Sequence, residues 1–231
     1  MIDSTIPEIS QDYLRTAWDD MRAAGFHLGD EDRLGLTADF RRDFHAAFFT
    51  PRIVRRYDGD IPADRERARE VIRYDWVSED QVDLASHHTV AINRAGREGP
   101  CDFDRVDLLS HPGFREWTTG MLSLVPEEYR LDRGTFGVNL FRTRTNVVTG
   151  PHQDHERFIV IYVLDKAGDG AETSLHDITD ERVVAKTVLQ PGEFVIFDDT
   201  RFKHSASPLV GVDARRDVLV CTVNYAGTYP L

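Results

Sequence analysis

The chain has 231 residues, with 28 Lys plus Arg against 40 Asp plus Glu, a formal net charge of −12. That excess of negative charge argues against sequence-independent binding to nucleic-acid backbones or anionic lipid. No apolar run approaches the ~18 residues of a membrane span, the start Met1-Ile2-Asp3-Ser4 lacks the regions of a secretory signal, and Cys101 and Cys221 alone give no disulfide framework. The expectation is a soluble cytoplasmic protein with a substantial core.

The N-terminal part, residues 1–133, reads as mainly helical support and substrate lid. Ser10 can cap a helix in which Tyr13, Leu14, Trp18 and Met21 recur at three- and four-residue intervals before Gly25. A second helix over 38–49 carries Phe40, Phe44, Phe48 and Phe49 and is stopped by Pro51; these rings read as core. The charged run 64–70 alternates sign like a solvated helix face, and a strand-like stretch follows at 71–77. His87 and His88 are adjacent, so on a regular strand they point to opposite faces and cannot chelate one ion. Pro112 fits the first turn of a helix with Phe114, Trp117, Met121 and Leu124 on one side, closed by Pro126.

From Gly134 the texture changes to short strands, at 135–144, 158–164, 171–176, 181–189, 194–197 and 217–225, with turn signals between them. Closely spaced strands without intervening helices indicate an antiparallel sandwich or jelly roll. With no repeat or linker between the halves, residues 1–231 are expected to form a single α+β unit. In it the N-terminal helices pack on one sheet and the inner strand faces of 134–231 line a pocket.

Within that half, His152 and Asp154 lie two residues apart at the mouth of a strand, where alternate side chains share a face. His204, after the apolar run 194–197, is placed to add a third ligand, with His155 and His176 as less well patterned substitutes. Two histidines and a carboxylate on one face suit non-haem Fe(II) and leave positions open. Arg216 or Arg215, on opposite faces of the last strong strand, can supply a cation for a carboxylate. Iron plus a fixed cation is the arrangement that grips a keto-dicarboxylate.

These segments follow one another in a familiar order: His152-Gln153-Asp154, Gly170-Ala171-Glu172-Thr173-Ser174, Leu189-Gln190-Pro191-Gly192-Glu193, Asp198-Asp199 with His204, and Arg215-Arg216-Asp217-Val218-Leu219-Val220. The chain resembles the Fe(II)/2-oxoglutarate-dependent dioxygenases, and more narrowly the bacterial branch that hydroxylates free amino acids, the L-isoleucine 4-hydroxylase type. The resemblance covers about residues 134–226 well and the preceding region thinly. It implies a double-stranded β-helix (jelly-roll, cupin-like) core, Fe(II) on His152, Asp154 and His204, 2-oxoglutarate as cosubstrate with O2, and Arg216 rather than Arg215 as its anchor. The implied reaction is hydroxylation of an unactivated C–H in a small molecule, a free amino or imino acid; halogenation is disfavoured because Asp154 fills the carboxylate position.

One departure is Val218, where many relatives in the wider superfamily carry a hydroxyl that helps hold the cosubstrate. Tyr162 is the expected replacement, because it shares parity with Asp154 if the strand is unbroken. Arg142 is expected to meet the substrate α-carboxylate if its face looks into the barrel, and Glu172 is a further candidate for the amino group. The alternatives are a cupin-like metal enzyme of another reaction type and a non-catalytic binding domain on the same fold. Prime substrate and oligomeric state are not legible.

Overall fold

The computed structural model describes residues 3–5, 9–57, 65–79, 81–87, 92–93, 100–101, 105–144 and 149–225. The first part comprises β1 (Asp3–Thr5), α1 (Gln11–Ala23), β2 (Phe26–Asp30), α2 (Ala38–Phe48), β3 (Glu66–Ser78), β4 (Gln81–Ser86), β5 (Ile92–Asn93), β6 (Pro100–Cys101) and α3 (Pro112–Ser123). The rest comprises β7 (Arg133–Thr143), β8 (Thr149–His152), β9 (Phe158–Gly170), β10 (Thr173–Asp177), β11 (Val183–Thr187), β12 (Glu193–Asp198), β13 (Phe202–Ala206) and β14 (Leu209–Tyr225).

Eight strands form one sheet in the order β1-β4-β3-β7-β14-β9-β12-β2, and four form a second in the order β11-β10-β13-β8. Neighbouring strands run antiparallel. The result is the expected α+β double-stranded β-helix.

The alternation of β9 shows why its apolar run is continuous. Ile159, Ile161 and Val163 face the smaller sheet and pack with Leu175, Val195, Phe197, Phe202 and Val218. Val160, Tyr162 and Leu164 face the other way, into a second core with Leu14, Met21, Phe44, Phe114 and Trp117 of the three helices. A strand covered on both faces needs no polar positions, and each such side chain stabilises by roughly 1.5–3 kcal/mol. The helices thus lie on one face of the large sheet, and the inner face is left to the site.

The N-terminal part is not mainly helical. β2, β3 and β4 join the large sheet, β2 on β12 at one end and β3 on β7 towards the other. From Glu66 onward the charged run is part of strand β3 rather than a solvated helix: Arg67, Arg69 and Glu70 are buried, and Asp64 lies outside the described residues. Its alternating signs are a period-two pattern, with Arg67 and Arg69 on one face and Ala68 and Glu70 on the other. Glu70 accepts from Arg105 at 3.0 Å, and burial still pushes its carboxyl up to about 7. His87 is buried, and His88 lies outside the described residues.

Candidate metal centre and its surroundings

β8 and β13 pair so that His152 and His204 are direct cross-strand partners. Their rings therefore lie side by side, with centroids 4.2 Å apart. β8 ends at His152, and Asp154 sits in the turn that follows, bringing its carboxylate oxygen to 3.5 Å from His152 Nε2. One donor atom from each of His152, Asp154 and His204 lies within 4.8 Å of the others. His152 Nδ1 is 2.9 Å from the Gly150 carbonyl oxygen. An acceptor there requires the proton on Nδ1, which leaves the Nε2 lone pair turned towards Asp154. Burial lowers the pKa of His204 to about 4, opposed by Asp154 and reinforced by His152, so its imidazole is neutral near pH 7 and able to ligate.

The turn bearing Asp154 is held by Asp199, whose fully buried carboxylate accepts from the backbone N–H groups of Asp154 at 3.4 Å and Glu156 at 3.0 Å. Gln153 Nε2 donates to the Asp199 carbonyl at 2.6 Å. These contacts give the middle residue of His152-Gln153-Asp154 and the buried member of Asp198-Asp199 a positioning role. His176 does not substitute for His204: its Nε2 is 2.9 Å from Ser205 Oγ, while its neighbour Leu175 pairs with His204. A second group of possible donors, His45, Asp165 and Asp217, lies elsewhere. Arg142 and Arg215 already pair with its two carboxylates, so it is a neutralised ion cluster and a poor cation site.

Arg216 projects between the sheets. Its guanidinium is buried, with Thr173 Oγ1 of β10 at 3.3 Å and Nε without a hydrogen-bond partner. Among the described residues no carboxylate pairs with it, and burial alone lowers its pKa to about 10. Thr173 is two positions from Leu175, the register partner of His204, which sets the cation about 7 Å along the sheet from the histidine pair. Lys166 is the cross-strand partner of Arg216, and burial followed by Arg216 lowers its pKa. Arg215 turns the other way and pairs with Asp165. The hydroxyl that Val218 lacks is available at Thr173.

Three sequence expectations fail here. Tyr162 is not near the triad: the strand parity that linked it to Asp154 is broken by the turn after β8, where His155 has φ 62°. Its side chain is on the helix-covered face, packed on Trp117 and donating to Glu31. Arg142 is also on that face, fixed by two bonds to Asp217 at 2.8 and 2.7 Å and one to the Phe49 carbonyl at 3.0 Å. Glu172 pairs with Lys186 at 2.7 Å.

The inner face carries polar residues that sequence reading missed. Arg69, Asn139 and Val220 are register neighbours on β3, β7 and β14, and Arg69 NH1 donates to Asn139 Oδ1 at 2.8 Å. Thr222 and Asn224 follow at two-residue steps on β14, buried. Glu156 reaches the same region from the Asp154 turn: burial raises its carboxyl to about 7, with Asn224 and Arg69 favouring the ionised form and Asp154 opposing it. The available signal was the period-two spacing of Arg65, Arg67 and Arg69, the spacing of a strand.

The profile of the family described as 2OG-Fe dioxygenase matches residues 56–222. Among solved structures, a bsmA homolog from Methylobium petroleophilum PM1 superposes with a TM-score of 0.78 at 20% identity, covering 94% of each chain. IDO from Bacillus thuringiensis gives a TM-score of 0.64 at 13% identity, covering 92% of this chain and 96% of its own. A prolyl-4-hydroxylase from Pseudomonas putida gives 0.59 at 12% identity, covering 92% and 99%. No curated protein sequence matches the chain.

Proposed function

The chain belongs to the 2OG-Fe dioxygenase family, and from that premise we propose that it hydroxylates an unactivated C–H bond of a free amino or imino acid, with Fe(II) on His152, Asp154 and His204 and 2-oxoglutarate on Arg216. The class is a 2-oxoglutarate-dependent oxygenase using Fe(II), 2-oxoglutarate and O2. The observation that carries the residue roles is the convergence of the three donor atoms within 4.8 Å beside a buried guanidinium that no described carboxylate neutralises.

The donor set fits the metal. His152, Asp154 and His204 would hold the ion with two imidazoles and a carboxylate, the donor set that suits non-haem Fe(II). When bound, the iron supplies with 2-oxoglutarate and O2 the oxidising power for oxygen insertion, with release of succinate and CO2. The chain's own work is positional. Gly150 fixes the tautomer of His152, and Asp199 holds the Asp154 turn. Arg216 and Thr173 offer a planar cation and a hydroxyl to the far carboxylate, in a setting of low dielectric where such a pair is strong. Ile159, Ile161, Val163 and Phe197 form an apolar wall that excludes water. Asp154 fills the carboxylate position, which favours hydroxylation over halogenation.

The support for a small polar substrate is the buried polar inner face around Asn139, Thr222 and Asn224, together with the resemblance of the motifs to amino-acid hydroxylases. The test is succinate release over a panel of free amino and imino acids and short peptides, with mass detection of a one-oxygen gain. Turnover of a free acid supports the reading. Turnover confined to peptides would reject the substrate class.

A further inference from the structure

Resting on the reading of Arg216 as the anchor of 2-oxoglutarate, we infer that Lys166 is the second cation of that anchor. With Arg216 and Thr173 it holds the distal carboxylate, so that β9, β10 and β14 each contribute one side chain to the grip.

The placement of Lys166 comes from an irregularity in the large sheet. Val163 and Lys166 are three residues apart, and on an unbroken strand they would point to opposite faces. The register between β9 and β14 shifts at Asp217 and Val218: Val218 pairs with Val163, but Asp217 pairs with Asp165. The bulge absorbs one residue. Leu164 and Asp165 both lie on the outer side, Leu164 in the helix-covered core and Asp165 beside His45, Asp217 and Arg215. Lys166 is thereby returned to the inner face, where it is the direct partner of Arg216. Counting along the sequence alone puts it on the wrong side.

The pair is of like charge and is not compensated. Direct partners on antiparallel strands have Cβ atoms about 4.5–5.5 Å apart, and like charges in that position repel. Among the described residues neither Arg216 nor Lys166 forms an ion pair, because the acidic groups of this end face the other way: Asp165 is held by Arg215 and Asp217 by Arg142. Asp169, also on β9, favours the charge of Lys166 less than burial and Arg216 oppose it. Arg216 Nε is buried without a hydrogen-bond partner. Buried charges are as a rule paired, so two facing cations beside the Thr173 hydroxyl form a receptor that an anion completes.

The surroundings fix what kind of anion. The next two rungs of the same ladder, Val218 with Val163 and Val220 with Ile161, are apolar. The positive charge is therefore confined to one rung, where a single carboxylate can contact both side chains while the rest of the ligand lies against an apolar wall. The two cations also differ in setting. Arg216 is buried and offers a planar, enclosed contact, whereas Lys166 is half-buried and offers a flexible ammonium from the solvent side.

The test is anaerobic titration of the Fe(II)-loaded protein with two keto acids, followed by the visible charge-transfer band. One is 2-oxoglutarate; the other is 2-oxovalerate, which keeps the keto acid and lacks the distal carboxylate. Lys166→Met should weaken 2-oxoglutarate about 10-fold, the loss of one charge-assisted hydrogen bond partly open to water, and leave 2-oxovalerate unchanged. Lys166→Arg should restore most of the affinity. The ligand-free Lys166→Met protein should melt no lower than wild type, because the change removes a repulsion. An equal loss for both keto acids marks a structural effect and overturns the inference, as does a Lys166→Arg protein that binds no better than Lys166→Met. If wild type forms the band and Lys166→Met binds 2-oxoglutarate equally well, the inference fails and the dioxygenase reading stands. If no band forms in folded wild type, that reading fails and takes the inference with it.

Discussion

Replacing Arg216 by Met should move stability and cosubstrate binding in opposite directions. In the free protein the guanidinium is buried and, among the described residues, makes one hydrogen bond, at 3.3 Å to Thr173. The fall of its pKa from 12.5 to about 10 corresponds to about 3 kcal/mol against the charged form. Methionine is of similar length and carries no charge, so it removes that cost and loses a bond of about 1 kcal/mol. The net expectation is a gain of about 2 kcal/mol, or about 4–8 °C in thermal midpoint for a chain of this size. Binding of 2-oxoglutarate should weaken by about 2–5 kcal/mol, roughly 30- to 4,000-fold, because a buried charge pair loses one partner. Differential scanning fluorimetry with and without 2-oxoglutarate reads both effects, and succinate release against cosubstrate concentration confirms the second. A midpoint that falls in the free protein, together with an unchanged cosubstrate requirement, would refute the assignment and make Arg216 a structural residue.

Other predictions concern the face away from the iron. Asp217→Ala leaves Arg142 buried without its carboxylate and should cost about 3–5 kcal/mol in chemical denaturation, with the affinity for 2-oxoglutarate unchanged in whatever folds. Burial pushes the Asp217 carboxyl up, but bonds from Arg142 and His45 outweigh it and hold the group below its ordinary value. Its contribution is therefore complete above about pH 4 and lost as the pH falls through the lower folded value. Wild type should accordingly lose stability in that acid range more steeply than Asp217→Asn. Tyr162→Phe removes a buried donor to Glu31 and should destabilise by about 1–2 kcal/mol; a raised 2-oxoglutarate requirement in this variant would restore the cosubstrate role that the sequence suggested.

What the sequence made legible depended on whether the local strand stayed regular. His204 and Arg216 follow intact strand patterns, and their spacing from His152 and Asp154 could be read because barrel strands return to the same place. Strand parity does not carry from Asp154 to Tyr162, because the chain turns at residues 153–157 and Asp199 rather than a neighbouring strand holds the backbone. Arg142 was assigned to the right strand but the wrong face: its parity with Leu140, Val138 and Phe136 puts it under the helices, and no sequence feature marks which side they cover. The run 64–70 carries the composition of a solvated segment, because charge usually is solvated. A strand between two cores buries both faces, and here the buried charges find partners in Asn139 and Arg105 contributed from 70 and 35 residues away. Such long-range compensation leaves no local trace.

The central claim is that His152, Asp154 and His204 hold an iron that binds 2-oxoglutarate. It is tested most directly by anaerobic titration of the metal-free protein with Fe(II) and then 2-oxoglutarate, followed by visible absorption. Wild type should develop a weak charge-transfer band only when both are present, and Asp154→Ala, with its fold intact by circular dichroism, should not. A folded wild-type protein that shows no band, or an Asp154→Ala variant that shows the same band at the same Fe(II) concentration, would contradict the account.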